Sequence, residues 1–159
     1  MKGQIFILAS LAIAVAIFLS MPRFQQEIYF PNIEALQLEN IATQYNKWIA
    51  YASIEDYDIL SFGNYVKQNF DNLEFIYLLA ENKTLKIANF FDTEINCSVN
   101  GKNFTIARNS SKETLFLGKI VFNSSFANFS YVPRNNYSGA IFLISNKGIV
   151  KLKLLKIFK

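Results

Sequence analysis

Residues Ile5–Ser20 read IFILASLAIAVAIFLS, without a charge, a proline or a glycine. A run of this kind cannot form the wet surface of a soluble domain, because water excludes contiguous apolar area. From Gln4 to Met21 the segment is uncharged. That puts it at the short end of the roughly 17–25 residues that a helix needs to cross a bilayer. Its leucines, isoleucines and alanines favour helix, and a helix satisfies its own backbone in lipid. Lys2 and the amino terminus flank one end, with the bulk of the chain at the other. Positive charge stays in the cytoplasm, so the expected orientation is N-terminus in and C-terminal domain out. The domain boundaries that follow are 1–21 for a signal or transmembrane helix, 22–31 for a neck, and 32–159 for an extracellular domain. Pro22 and Pro31 bracket the neck, since proline ends or kinks a helix.

A cleaved secretory signal calls for a small-x-small site after the apolar core. Phe18-Leu19-Ser20-Met21-Pro22-Arg23 is a poor one, which leaves an uncleaved anchor. Lys2-Gly3-Gln4 directly before an apolar helix resembles the class III signal peptide of archaeal type IV pilin-like proteins. The resemblance implies cleavage between Gly3 and Gln4 by a prepilin-type peptidase. It also implies that the apolar helix stays on the mature chain, first in the bilayer and then against like helices in a filament. Many pilins carry a glutamate five residues into the mature chain, and that position here is Leu8. The alternative is therefore a non-polymerising, signal-anchored surface domain that binds a partner or a glycan. The resemblance is confined to the N-terminal segment and a general order of elements.

The chain has 159 residues, the length of one domain, and enough to bury a core. Phe and Tyr are abundant, with many Ile, Leu and Val, which argues against disorder. There is no histidine, one cysteine and only six glycines. His-based triads and general bases are excluded. One cysteine builds neither a zinc cluster nor an intramolecular disulfide. No glycine-rich phosphate loop is present. Cys97 alternates with Ile95 and Val99, which predicts a small buried apolar residue rather than a reactive thiol. The acidic residues Glu55, Asp56 and Asp58 gather where a helix starts, as the macrodipole favours. Asp92 and Glu94 would share one strand face, the only other carboxylate pair considered for glycosidase or Ca²⁺ chemistry. Nothing nearby completes a site at either place, so no enzyme, cofactor or metal is expected.

Asn32 is a candidate N-cap for a helix reaching about Ala52. Its apolar stripe of Leu38, Ile41, Tyr45, Trp48, Ile49 and Ala52 steps by three and four. This predicts core packing, with a seam to a neighbouring subunit as the other option. A second helix is predicted from Asp58 to Phe70, with Ile59, Phe62, Val66 and Phe70 on one side and Gly63 as a weak point. From Leu73 the pattern changes to strands. The predicted strands are 73–80, 84–91, 94–99, 104–108, 114–122, 126–132, 140–145 and 149–158. Asn100-Gly101 is a strong hairpin signal, Asn146-Lys147-Gly148 a second turn, and 135–139 a loop. The fold class is α+β: an N-terminal transmembrane helix, two short helices (32–70), then an antiparallel β-sandwich or roll (73–158). That order also resembles a pilin-like head.

Asn-x-Ser/Thr occurs at Asn82, Asn96, Asn103, Asn109, Asn123, Asn128 and Asn136, more often than composition alone predicts. The motif is an N-glycosylation acceptor in a translocated chain, consistent with the orientation inferred from Lys2. All twelve acidic residues lie between Glu27 and Glu113, while Lys119, Arg134, Lys147, Lys151, Lys153, Lys156 and Lys159 follow. Lys147, Lys151, Lys153 and Lys156 are thus candidate contacts for an anionic partner, or an edge strand guarded by lysine. Lys156 breaks the alternation after Leu155, which predicts a bulge. Arginine is scarce, and exposed aromatics interleaved with it are not evident, so nucleic acid is not expected. Nor is a small-molecule substrate. The expected partners are the bilayer through residues 4–21 and like subunits in a filament.

Overall fold

The computed structural model describes residues 33–55, 57–146 and 151–159. The apolar run, the cleavage residues Gly3 and Gln4, the neck, Asn32, Asp56 and Lys147 lie outside them. Among the described residues no helix is long and apolar enough to cross a membrane.

Among the described residues, two helices precede nine strands. Helix α1 spans Ile33–Ala52 and α2 Ile59–Asn69. The strands are β1 Leu73–Glu81, β2 Thr84–Asn89, β3 Ile95–Val99, β4 Lys102–Ile106, β5 Ser110–Leu115, β6 Ile120–Ser124, β7 Asn128–Tyr131, β8 Tyr137–Ser145 and β9 Leu152–Phe158. They form two sheets, one ordered β5-β2-β1-β8-β9 and one ordered β4-β3-β6-β7. Every pairing is antiparallel. The α+β class is as expected.

The helices cover one face of the five-stranded sheet, and the four-stranded sheet covers the other. One core joins Leu38, Ile41, Tyr45, Phe62 and Val66 of the helices to Phe75, Tyr77, Ile141 and Leu143. The other lies between the sheets, with Ile76, Leu78, Ile87 and Phe142 against Val99, Ile106, Ile120 and Phe122. Central strands β1 and β8 are therefore buried on both sides. That explains why their sequences are nearly continuous apolar runs rather than alternating ones. The stripe on α1 is spent inside the fold, with Trp48 and Ala52 partly buried at its end.

Asp58 caps α2: its carboxylate accepts from the Leu60 amide at 3.0 Å, satisfying one of the helix's free donors. Glycine inside α2 has a packing reason. A Cβ on Gly63 would lie 2.0 Å from the Phe90 ring, so the helix reaches the sheet only without a side chain there. Tyr77 fastens the same contact. Its hydroxyl donates to the Ile59 carbonyl and accepts from the Gly63 amide. From α1, the Tyr45 hydroxyl donates to the Leu78 carbonyl at 2.8 Å. Tyr45, Trp48, Phe62, Tyr77, Phe75 and Phe90 form one aromatic cluster with centroid separations between 5.1 and 6.2 Å.

Four expectations about the strands need correction. The predicted strand 114–122 is two strands in different sheets. Leu115 ends β5, Ile120 begins β6, and Gly118 turns the chain between them at φ +67°. Leu115 and Leu117 are 77% and 83% exposed, so the apolar run there did not mean burial. Loop 135–139 begins instead as β8 at Tyr137, which pairs with Glu81. Gly139 lies inside that strand because a Cβ there would meet Ile49 at 2.6 Å and the Tyr45 hydroxyl at 2.8 Å. Asp92 and Glu94 sit in the connection between β2 and β3, not on a strand. Finally, β9 pairs with β8 without interruption from Leu152↔Ser145 to Phe158↔Gly139. There is no bulge at Lys156. The asparagine–glycine hairpin joins β3 and β4 as predicted, with Asn100 at φ 49° and Gly101 at φ 81°, both in the region a type I′ turn requires.

Candidate functional surfaces

The four-stranded sheet gathers four of the seven sequons. Side chains alternate across a strand, so asparagine and hydroxyl, two residues apart, share a face. Burial fixes which face: Ile95, Cys97, Val99, Ile106, Ile120, Phe122 and Tyr131 point into the core. The opposite side carries Asn96 and Ser98 on β3, Asn103 and Thr105 on β4, Val121 and Asn123 on β6, and Asn128 and Ser130 on β7. No charged side chain stands on this face within the four strands. Register sets Asn103 opposite Ser98, Ser98 opposite Asn123, and Asn123 opposite Asn128. The sequons of β3 and β4 run antiparallel, and the Thr105 hydroxyl donates to the Asn96 side-chain oxygen at 2.7 Å. A shallow depression of about 560 Å³ lies over this part of the face.

The other three sequons occupy turns and a strand entrance. Asn82 and Asn109 adopt φ 54° and 51° in the β1–β2 and β4–β5 turns. Asn136 precedes β8, and its carbonyl accepts from the Asn82 amide at 2.8 Å. All seven asparagines are exposed. Their hydroxyl partners are not equivalent. Thr105, Ser125 and Ser130 are exposed, whereas Ser138, the partner of Asn136, is buried at 1%.

The lysines of the C-terminal strand do not form one patch. Lys153 shares a face with Leu155 and Ile157, toward the second sheet, and Lys156 shares the opposite face with Leu154 and Phe158, toward the helices. Lys156 pairs with Glu39 of α1 at 3.1 Å. Part of the charge asymmetry read from the sequence is therefore satisfied within the molecule. Lys153 is exposed on the edge strand, and Lys151 is exposed just before it.

Asp92 and Glu81 have structural partners. Asp92 is bridged by Lys67 of α2 and Arg108 of the β4–β5 turn, each at 3.3 Å. Burial alone would raise the Glu81 carboxyl, but hydrogen bonds from Lys86 and Tyr137 outweigh it and hold it below its ordinary value. Cys97 is buried and free, and burial pushes its thiol up to about 11. Among the described residues, no group of three or more His, Cys, Asp or Glu is placed to hold a metal.

Two features were not read from the sequence. An apolar groove of about 360 Å³ runs between the helices, lined by Trp48, Tyr51, Tyr57, Phe62 and Tyr65. Tyr51 and Tyr65 are 62% and 48% exposed. Tyr51 stands three residues beyond Trp48, a spacing that could have marked it. The second feature is Asn89, the one fully buried asparagine among the described residues. Its side-chain nitrogen lies 3.0–3.1 Å from the carbonyls of Thr93, Ile106 and Ala107, and its oxygen accepts from the Phe91 amide at 2.9 Å. It fastens together two of the four places where the chain passes between sheets, the β2–β3 and β4–β5 connections. Compared with known protein families, curated proteins and solved structures, the chain matches none.

Proposed function

We propose that this chain is a surface protein held in the cell membrane by residues 4–21, with its N-terminus cytoplasmic and its α+β domain outside. Its role is structural or adhesive, as a pilin-like subunit processed between Gly3 and Gln4, and it performs no catalysis. The observation that carries this reading is the uninterrupted apolar run directly after Lys2-Gly3-Gln4. Supporting it are the exposure of all seven sequon asparagines and the order of helices followed by antiparallel sheets, the arrangement of a β-rich head. N-terminal mass spectrometry on protein from its own cells is the direct test. A mature chain beginning at Gln4 supports processing, and one beginning at Met1 removes it. Extraction must require detergent; release by buffer alone would sink the membrane assignment.

A second reading rests on Leu8, which stands where many pilins carry glutamate. In it the domain is anchored in the same way and binds a partner without polymerising. Electron microscopy of cell surfaces with labelled protein separates the two: label along filaments favours the first, and dispersed label the second.

A further inference from the structure

The outer face of the four-stranded sheet poses a physical problem. Exposed faces of soluble domains usually mix charges of both signs, which keeps them hydrated and apart. Apart from Val121, this face carries only amides and hydroxyls. Sheet alternation explains why asparagine and hydroxyl share a side, but it does not explain why lysine and glutamate are missing. The same face carries the asparagines of the three sequons in which both the asparagine and its hydroxyl partner are exposed: Asn103 with Thr105, Asn123 with Ser125 of the β6–β7 turn, and Asn128 with Ser130.

We propose that this sheet face is an N-glycosylated surface, modified at Asn103 and at Asn123 or Asn128, and that Asn136 stays unmodified. The proposal rests on the extracellular placement of the domain given above. Glycan is bulky and solubilising, and here it supplies the hydration that charge supplies elsewhere. Asn123 and Asn128 are directly opposite in register, where Cβ atoms stand about 4.5–5.5 Å apart. Two branched chains rooted so closely would collide, so one of the pair is occupied on any one molecule. Asn136 is exposed, but Ser138 faces the core and is closed to a transferase that must reach both ends of the sequon on the folded chain. In the transfer, the asparagine Nδ2 bonds to C1 of the sugar of a polyprenyl-phosphate-linked oligosaccharide. The bond from C1 to the phosphate oxygen breaks, and the polyprenyl phosphate leaves with the electron pair. The displaced amide proton goes to solvent, and nothing is oxidised or reduced.

The test is glycopeptide mapping of protein extracted from its own membranes, together with intact mass. Expected are glycan on the Asn103 peptide, glycan on the peptide holding Asn123 and Asn128 at one chain per molecule, and a bare Asn136 peptide. The variant N103Q/N123Q/N128Q should lose most of the glycan mass and self-associate at lower concentration, while N136Q should keep the glycan mass unchanged. Glycan on Asn136 would mean that transfer does not depend on the folded surface, and overturns the proposal. Bare peptides at all three sheet positions, from protein that is membrane-retained with its domain outside, overturn it while leaving the proposed function standing. If that bare protein forms dimers that N103Q/N123Q/N128Q disrupts, the face is instead an interface between copies. A domain found in the cytosol ends both readings.

Discussion

At the scale of single residues, the least conspicuous position is the most constrained. Asn89 looks like one more polar residue at a strand end, yet it is fully buried and touches three carbonyls and one amide. Asn89→Leu keeps the branched shape, adds some volume and removes those partners. The expected loss is about 2–4 kcal/mol, the cost of leaving buried backbone groups unsatisfied, read as a lower urea midpoint at unchanged slope. A loss below about 0.5 kcal/mol would mean that the corner does not depend on this amide. Cys97 makes the opposite point, since alternation with Ile95 and Val99 already placed it inside. With its thiol pushed up to about 11, only about one molecule in ten thousand carries the reactive thiolate at pH 7. Alkylation of the native protein should therefore be slow and should accelerate in step with unfolding. Rapid labelling without denaturant would contradict the burial. No sequence pattern distinguishes a sequon made for glycan from one made by strand alternation. In the β3, β4 and β7 sequons the middle residues Cys97, Phe104 and Phe129 are core side chains, so the spacing follows from the pleat alone.

At the scale of elements, the helices were legible because their stripes are amphipathic and α2 starts at an acidic cap. The edges of strands were less so. Leu115 and Leu117 are apolar yet exposed, which hid the turn at Gly118. Gly63 and Gly139 resemble weak points or loop markers in the sequence, and each is a place where a helix meets the sheet at close range. Gly63→Ala should gain up to about 1 kcal/mol of helix propensity and lose about 1–3 kcal/mol from overpacking. The loss should win, because the Phe90 ring it strikes is buried and stacked on Phe75 at 5.1 Å. Thermal denaturation should show a lowered midpoint, and Phe90→Leu in the same chain should recover part of it. A raised midpoint for Gly63→Ala alone would refute the close-packing account. Lys156 links two elements: its pair with Glu39 ties β9 to α1. An exposed pair of this kind contributes at most about 1 kcal/mol, so Lys156→Gln should change stability only slightly, and a large loss in a denaturant titration would show that more depends on it.

At the scale of the whole molecule, one sheet serves two cores, and buried phenols hold its layers together. Burial raises Tyr45, Tyr77 and Tyr131 above the ordinary phenol value, Tyr131 to about 12. Unfolding exposes them. Above about pH 10 the unfolded chain loses phenol protons that the folded chain keeps, so the contribution is complete below that pH and shrinks as pH rises. Denaturant titrations at rising pH should show falling stability beyond about pH 10, with tyrosinate absorbance from these three appearing only as the chain unfolds. Their ionisation in a still-folded protein would refute the buried assignment. By itself the sequence determined that two helices precede strands beginning at Leu73, together with the helix stripes, the asparagine–glycine turn and the buried cysteine. These are recorded within a few neighbouring residues, in side-chain spacing and turn chemistry. Only the tertiary structure decided that β1 lies between β2 and β8, that Lys153 and Lys156 part to opposite faces, that Asn89 is internal, and that four sequons share an uncharged surface. Those outcomes depend on which distant segments meet, and a pairing between residues sixty positions apart leaves no mark in the local pattern of either.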